Sequence, residues 1–426
     1  MERSKRKDPM KLKHWRWVRF YLIALGMWPK ACVGEPRSRA YEYYHKHTLM
    51  MCLITLYLQI SYIWSHYAVT SFFELGHMLI TICMNLLCIV RLLLGLDKAY
   101  GPMINTFFTK VHLFNYECHD YNSYSQKVKE IAELFSRYFS MCYLVLLNIA
   151  ILLFNITPWI NNYKNGAFSG DSNITLQASL YIANPFDTHT NVKHWIVLSI
   201  YNYYPTYVGG ISITATDLCV SLMIFQVMGR IHILENNLKT MGRPALQRYW
   251  EIKYKGSVKK VQVEMFSEAE NVDIHLRLKQ YINDQKLIRA FIDELVKRYG
   301  LVLLASYMIH LANGSIILLE ILDGRAESLT RYGPLAVGLF GELIIMSTIL
   351  EHVCTLSDRL GDAVYSTPWE CMDTRNQSTV LLFLMRVQTP TVFKAKGLVE
   401  VGVKPMASIL KTTVSYCAFL KRTSMN

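Results

Sequence analysis

The sequence predicts an all-α membrane protein with seven transmembrane helices, its N-terminus cytoplasmic and its C-terminus extracellular. Three observations carry that expectation. Of 426 residues, 52% are hydrophobic and only 18% charged, against roughly 25% charged in an average soluble domain. Six stretches reach the about 20 mostly apolar residues that a bilayer-spanning helix requires. Lys and Arg are concentrated in particular segments between those stretches, and such an excess marks the cytoplasmic side.

The elements follow in chain order. Residues 1–46 hold twelve basic and four acidic residues, a start too basic and aromatic for a cleavable signal peptide. The first apolar run is therefore expected to serve as the targeting signal. Spans are expected at 47–67, 72–96, 138–157, 204–228, 300–322 and 335–356. Two charged stretches between them, "NYECHDYNSYSQKVKEIAELFSRY" and the run from "RIHILENNLK" onward to Tyr299, keep apolar residues at three- and four-residue spacing. Both are expected to be helices that leave the membrane and continue into water. Residues 229–299 hold fourteen basic and nine acidic residues, whereas 158–203 has only Lys164 and Lys193. The first of these segments is therefore cytoplasmic and the second external. The external one carries "NIT", which makes Asn173 a glycosylation acceptor where the lumen could reach it. The seventh span is the closing run "LKTTVSYCAFLKRTSMN". Lys411 interrupts its apolar face and two cations end it, so hydropathy alone barely accepts it.

Several function classes are set aside at this point. A G-protein-coupled receptor would have its N-terminus outside and usually a disulfide from the top of its third helix to the following loop. Here the 159–203 loop has no cysteine, and "SDRLGD" at 357–362 follows the sixth span rather than the third. The ten cysteines show no metal spacing, and six of them lie within apolar runs. There is no HExxH, GxSxG, Walker or GxGxxG pattern, so neither an enzyme nor a cofactor is expected; a membrane transporter or enzyme stays as the alternative of another class. His77 and His310 are the intramembrane titratable candidates, with Glu74, Glu320 and Glu342 expected near external helix ends. The net charge of +13 sits in the segments read as cytoplasmic, so it does not indicate nucleic acid.

The C-terminal run "LLFLMRVQTPTVFKAKGLVEVGVKPMASILKTTVSYCAFL", Leu381–Leu420, resembles the seventh-helix signature of insect odorant receptors. It has an amphipathic segment with Arg386, a Pro, a Gly, and then a Thr/Ser-rich helix closing on Ser-Tyr. "GMWP" at 26–29 and "IHLRLKQYINDQKLIRAFIDEL" before the fifth span agree with that family, and "VGVKPMASILKTTVSYCAFL" is similar to its moth sex-pheromone branch. Gustatory receptors of the same superfamily are the alternative, but the Gln-Phe with which they close is absent from "SYCAFLKR". The co-receptor's Gln near the pore mouth is replaced by Arg422.

The resemblance implies an odorant receptor subunit that joins a shared co-receptor in a heterotetramer and opens a non-selective cation channel when a small hydrophobic volatile binds. It implies a multi-pass protein of the plasma membrane, in olfactory sensory neuron dendrites. It implies a cytoplasmic N-terminal segment at 1–46, a six-helix membrane domain at 47–356 with the ligand pocket in its outer half, an anchor segment at 357–396, and a pore-lining helix with an external tail at 397–426. Ser408, Thr412, Ser415, Phe419 and Arg422 share one helical face and are the expected pore lining, with Phe419 as the gate. Ile409, Thr413, Tyr416 and Leu420 are expected to pack on neighbouring helices. The expected ligand contacts are Phe73, His77, Ile151, Asn155, Trp159, Tyr207, Ile211, Phe340 and Ile344.

Overall fold

A computed structural model of the chain describes residues 9–36, 38–68, 72–116, 123–168, 175–244, 248–254, 257–322, 326–389, 394–395, 399–400 and 402–424. The principal helices are α1 (Lys13–Ala24), α2 (Arg39–His66), α3 (Phe72–Leu93), α4 (Tyr100–Thr106), α5 (Ser123–Lys164), α6 (Val192–Lys239), α7 (Glu268–Leu322), α8 (Ala326–Tyr365), α9 (Thr374–Val387) and α10 (Val403–Ser424). Six of them, α2, α3 and α5 to α8, carry segments long and apolar enough to cross a membrane. These are the six spans that hydropathy selects. The longest, α5, α6 and α7, run for 42, 48 and 55 residues, more than twice what about 30 Å of hydrocarbon requires. They therefore continue well outside it.

Local chemistry sets where the helices begin and end. Ser267 and Glu270 form a reciprocal capping box at the start of α7: Glu270 N–H donates to Ser267 Oγ at 3.2 Å and Ser267 N–H to Glu270 Oε2 at 2.6 Å. Asn191 caps α6 by accepting from the backbone of Lys193 and His194, and Asp373 caps α9 by accepting from Asn376. Gly26, with φ of 73°, turns the chain after α1 where His45 leaves no room for a side chain.

One expected helical stretch is not helical. Within it, Arg248–Tyr254 (β1) pairs antiparallel with Ser257–Val263 (β2), Trp250 opposite Val261. The strands "RYWEIKY" and "SVKKVQV" are rich in aromatic and β-branched residues around a glycine, a local signal that overrides three- and four-residue spacing. A second pairing, Lys394–Ala395 (β3) with Val399–Glu400 (β4), lies between α9 and α10. The last helix is thus split into α9 and α10, which the family resemblance also implies.

Helix α6 is the axis of the bundle. Its apolar window is 83% buried, and it packs against α1, α3, α5, α7 and α8. At the end of the bundle where α1 lies, an aromatic cluster closes the core: Trp15 meets Phe107 at 5.2 Å and Phe108 at 4.9 Å between ring centres. Arg230, at the same end of α6, donates to the carbonyls of Lys110, Val111 and His112 and lies 4.0 Å from Asp284 of α7. There α9 is tied to α7 by Asn376 Nδ2 donating to Asn271 O at 2.8 Å and by Arg386 Nε donating to Gln285 Oε1 at 3.1 Å.

Inside the apolar spans the fold holds charges. Arg91 of α3, 1% exposed, donates from Nη2 to Asp217 Oδ2 of α6 at 2.7 Å and to Glu342 Oε1 of α8 at 2.6 Å. His310 of α7 stands 3.9 Å from the other Glu342 oxygen. Glu342 therefore lies within the bundle, not at the external helix end where the sequence suggested it; a buried carboxylate persists there because it is paired.

Two consequences are measurable. Arg91→Met leaves two buried carboxylates without their cation and is expected to cost about 3–5 kcal/mol of stability, whereas replacing Arg91, Asp217 and Glu342 together by apolar residues recovers most of it; thermal unfolding in detergent of the two variants reads the difference. The second concerns acid. Burial lowers His14 to about 4, and burial, with His14 and Arg230 nearby, lowers His112 to about 3. Both rings are neutral in the fold, so the unfolded chain takes up protons that the fold refuses once the pH drops below the ordinary value of about 6.5. Stability is complete above that pH and falls toward the folded values, by on the order of 2 kcal/mol per ring at pH 5. Proteolysis in the N-terminal segment is expected to be faster at pH 5 than at pH 7.5, and His14→Phe, which removes a buried Nε2 without a partner among the described residues, to lessen that difference.

Candidate functional site

A cavity of about 280 Å³ lies between α2, α3, α5, α6 and α8, near the lower limit of about 300–1,000 Å³ typical of small-molecule pockets. Three glycines stand on its lining. Gly209 of α6 and Gly338 and Gly341 of α8 line it, and a Cβ added at any of the three would meet nothing within 4 Å. Gly210 differs: a Cβ there would stand 2.8 Å from Ile151 Cδ1, so this glycine lets α5 and α6 approach.

The walls are apolar even where their residues are not. The hydroxyls of Thr48, Thr55, Thr81 and Thr206 turn back onto carbonyls of their own helices, which consumes the polar group in the manner common for mid-helix threonine. Asn85 Nδ2 donates to Gln59 Oε1 at 3.0 Å and to Cys52 O at 3.2 Å. What remains for an occupant is mostly hydrocarbon, including Met51, Met84, Leu147, Ile151, Phe154 and Ile345.

Each end of the cavity has one charged residue. At one end, Glu342 joins the lining to Arg91 and Asp217. At the other, a strap of chain at 176–183 crosses the helix ends and inserts Leu180 into the lining. Many hydrogen bonds hold this strap: Asn162 pairs with both backbone groups of Gln177 at 2.9 Å, Trp195 Nε1 donates to Gln177 O at 2.7 Å, and Asn202 Nδ2 donates to Leu180 O at 2.8 Å. Arg331 of α8 lines this end and donates to Ala178 O at 2.7 Å.

The residues singled out from the sequence fall into distinct places. Ile151 lines the cavity. Asn155, one turn along, donates to Ile151 O and to Thr206 Oγ1, each at 2.9 Å. His77 is buried with Nε2 2.8 Å from Arg331 Nη2 and Nδ1 3.0 Å from Tyr332 Oη. Trp159 packs edge-on against Trp195 at 4.7 Å beside the strap, and Tyr207 stacks on Tyr203 at 6.2 Å. Ile211 is buried in the main core, and Ile344 is 43% exposed; neither is part of the lining. Phe340 lies against Gly314 of α7 beside Thr413 of α10, between the cavity helix and the last helix. The side chains of Phe73 and Arg422, and Asn173, lie outside the described residues.

On α10, Ser408, Ser415 and Phe419 are exposed and Thr412 is half-buried, whereas Met406, Thr413 and Cys417 face the bundle. Tyr416, expected to pack on neighbouring helices, is 52% exposed on this single chain. Residues that sequence reasoning passed over include Arg91 and Asp217. Opposite charges within two apolar runs were the available signal, since such groups must find each other away from lipid.

The model of the family described as 7tm Odorant receptor matches residues 104–414. No curated protein matches the chain. Among solved structures, the chain is similar to the insect olfactory receptor OR5 from Machilis hrabei, with a TM-score of 0.75 and 13% identity over 95% of this chain and 96% of that one. The same receptor in complex with eugenol matches with a TM-score of 0.77 and 14% identity over 98% and 100%. At such identity the likeness establishes the fold.

Because Gly341 faces open space, Gly341→Leu fills the cavity without displacing neighbours and replaces a poor helix former by a good one. Unfolding stability is expected to hold or rise by up to about 1 kcal/mol, while binding of an apolar fluorescent probe, N-phenyl-1-naphthylamine, falls at least about tenfold, equivalent to about 1.4 kcal/mol. Probe titration beside thermal unfolding separates lost space from lost fold.

Proposed function

The chain belongs to the 7tm odorant receptor family, and from that premise we propose that it is an odorant receptor subunit which takes a small hydrophobic volatile into the five-helix cavity. The observation that carries this reading is the cavity itself: mostly apolar walls, threonine hydroxyls turned onto their own helices, and a strapped end between helices that the sequence assigns to the membrane. Dispersion and shape hold such an occupant, with few polar contacts to orient it. The neighbouring fold is that of a receptor whose structure is in complex with eugenol, which supports a ligand of similar class here.

Binding is coupled to a channel in this proposal. The N-terminus and the end of the bundle that holds α9 are cytoplasmic, and the strap is external, in keeping with the Lys and Arg distribution. Helix α8 carries the cavity wall at Gly341 and Glu342, its Phe340 lies against Gly314 beside Thr413, and it packs against α10, so a ligand that displaces α8 also bears on α10. The exposed face of Ser408, Thr412, Ser415 and Phe419 lines a shared pore, where polar residues are tolerated because they meet water rather than lipid. The chain supplies a minority subunit of a heterotetramer with a common co-receptor, in the plasma membrane of sensory dendrites, and opens a non-selective cation pathway. Domain roles follow the division at 46, 356 and 396. Tuning toward a pheromone-like volatile is supported by the similarity of "VGVKPMASILKTTVSYCAFL" to that branch and by the apolar lining.

Whole-cell current from cells expressing this chain with and without an insect odorant co-receptor tests the reading. Volatile-evoked cation current is expected only with both chains present. Equal current from this chain alone would overturn the minority-subunit assignment, and no evoked current to any fatty-alcohol derivative or plant volatile in the pair would overturn the receptor assignment.

A further inference from the structure

Helix α1 has two unlike faces. Trp15, Val18, Leu22 and, just past its end, Leu25 are at most 1% exposed and form one helical stripe, on a helix that packs against α5 and α6. Lys13, Arg16, Trp17 and Phe20 form the opposite stripe, where Lys13 and Arg16 are exposed, Trp17 is half-buried and Phe20 is 64% exposed. The cations come first along it and the aromatic rings follow, with about 10 Å of axis between Lys13 and Phe20.

The two ends of α1 are fixed at different depths. Near its start, Trp15 packs on Phe107 and Phe108, which follow the end of the second apolar span at Leu96. Past its end, the chain meets the base of the first span: Ala24 O accepts from Tyr44 Oη at 2.8 Å, and Leu25 O lies 3.1 Å from His45 Nδ1, just before the apolar run that opens at 47. Exposed Tyr43 and Tyr44 mark that level, as aromatic residues do at a membrane–water boundary. Helix α1 therefore climbs from the aromatic cluster to the edge of the hydrocarbon. Its outer stripe crosses a headgroup layer of about 5–8 Å with the cations on the water side and Phe20 toward the acyl chains.

We propose that this stripe seats an anionic phospholipid of the cytoplasmic leaflet, its headgroup at Lys11, Lys13 and Arg16 and an acyl chain along Phe20. Charge complementarity selects that occupant. Lys11, Lys13 and Arg16 make no ion pair among the described residues, whereas Arg19 on the flank of the helix is taken by Glu35 at 2.9 Å. The sequence before the helix adds Arg3, Lys5, Arg6 and Lys7 against Glu2 and Asp8. Basic clusters on an amphipathic helix beside a span attract anionic lipid by about fivefold in binding per cation, and an arginine can hold a phosphate through two N–H groups. A zwitterionic lipid brings its own cation and no net charge. The inference takes from the proposed function only the cytoplasmic placement of the N-terminus and is independent of odorant binding.

Titration of the detergent-purified full chain with dioleoyl phosphatidylserine and with dioleoyl phosphatidylcholine, bound lipid counted by native mass spectrometry, tests this. Phosphatidylserine is expected to bind about ten- to a hundredfold more tightly. Lys11→Gln, Lys13→Gln and Arg16→Gln together are expected to bring the two lipids within about threefold of each other, whereas Lys127→Gln, Lys279→Gln and Lys286→Gln, an equal change of charge at exposed positions further from the spans, keep the margin. Equal binding of the two lipids by the wild-type chain, a margin that survives the α1 variant, or a margin lost equally in both triple variants overturns the site. Phe20→Ser is expected to weaken both lipids alike by about fivefold, and unchanged binding of both overturns the acyl contact. Should the α1 variant not fold, hydrogen exchange of the wild-type chain in nanodiscs decides: slower exchange across Lys13–Ala24 with phosphatidylserine than with phosphatidylcholine alone supports the site, and equal exchange overturns it. An N-terminal epitope stained on intact cells overturns the cytoplasmic placement and this site with it, and leaves odorant binding standing.

Discussion

The bundle depends on a charge arrangement that lipid would not tolerate. Arg91 reaches two carboxylates on two other helices, and the three side chains are enclosed where α3, α6 and α8 meet. Hydrophobic burial cannot orient helices in a bilayer, because lipid tails are as apolar as leucine. A guanidinium with two carboxylate partners can, since any rotation of one helix by a single residue would break the set. Glu342 is also part of the cavity lining, so the interaction that registers the helices forms one end of the candidate ligand site.

The remaining polar chemistry follows the same economy. Threonine hydroxyls fold onto their own helices, Asn85 and Gln59 satisfy each other, and asparagines at helix ends hold the 176–183 strap. Such pairing lowers the desolvation cost of polar groups near hydrocarbon and leaves a cavity lined in part by Gly209, Gly338 and Gly341. An occupant therefore meets a surface with little polar demand except at the two ends. Helix α8 links this space to the rest of the molecule: it carries two of the cavity glycines, and its Phe340 lies against Gly314 of α7, which Thr413 of α10 also adjoins. A change in cavity occupancy and a change at α10 thus share one rigid element.

Much of this was legible before any coordinates. The six spans follow from hydropathy, because lipid forces long apolar helices, and the split of the last helix was implied by the family resemblance. The C-terminal signature was sufficient to indicate the family. Residues 248–263 were misread as helix, since a strongly β-forming sequence around a glycine can still show apolar residues at helical intervals. Of the residues that the resemblance suggested for ligand contact and whose side chains are described, Ile151 alone is part of the cavity lining. Neighbouring positions on a helix point about 100° apart, so Ile344 and Ile345 look equivalent in a string of letters and face different surroundings.

By itself, then, the sequence determined which segments are apolar helices, how many of them could span a membrane, and which family the chain resembles, because those properties depend on composition along one strand of chain. It did not determine which face of each helix turns inward. That choice was made by contacts between residues far apart in sequence: Arg91 with Asp217 and Glu342, Arg331 with His77 and Ala178, and Phe340 with Gly314. A buried charge finds its partner, and an empty volume its walls, only when separate helices come together, and the side chain that each helix must present depends on what its neighbours already offer.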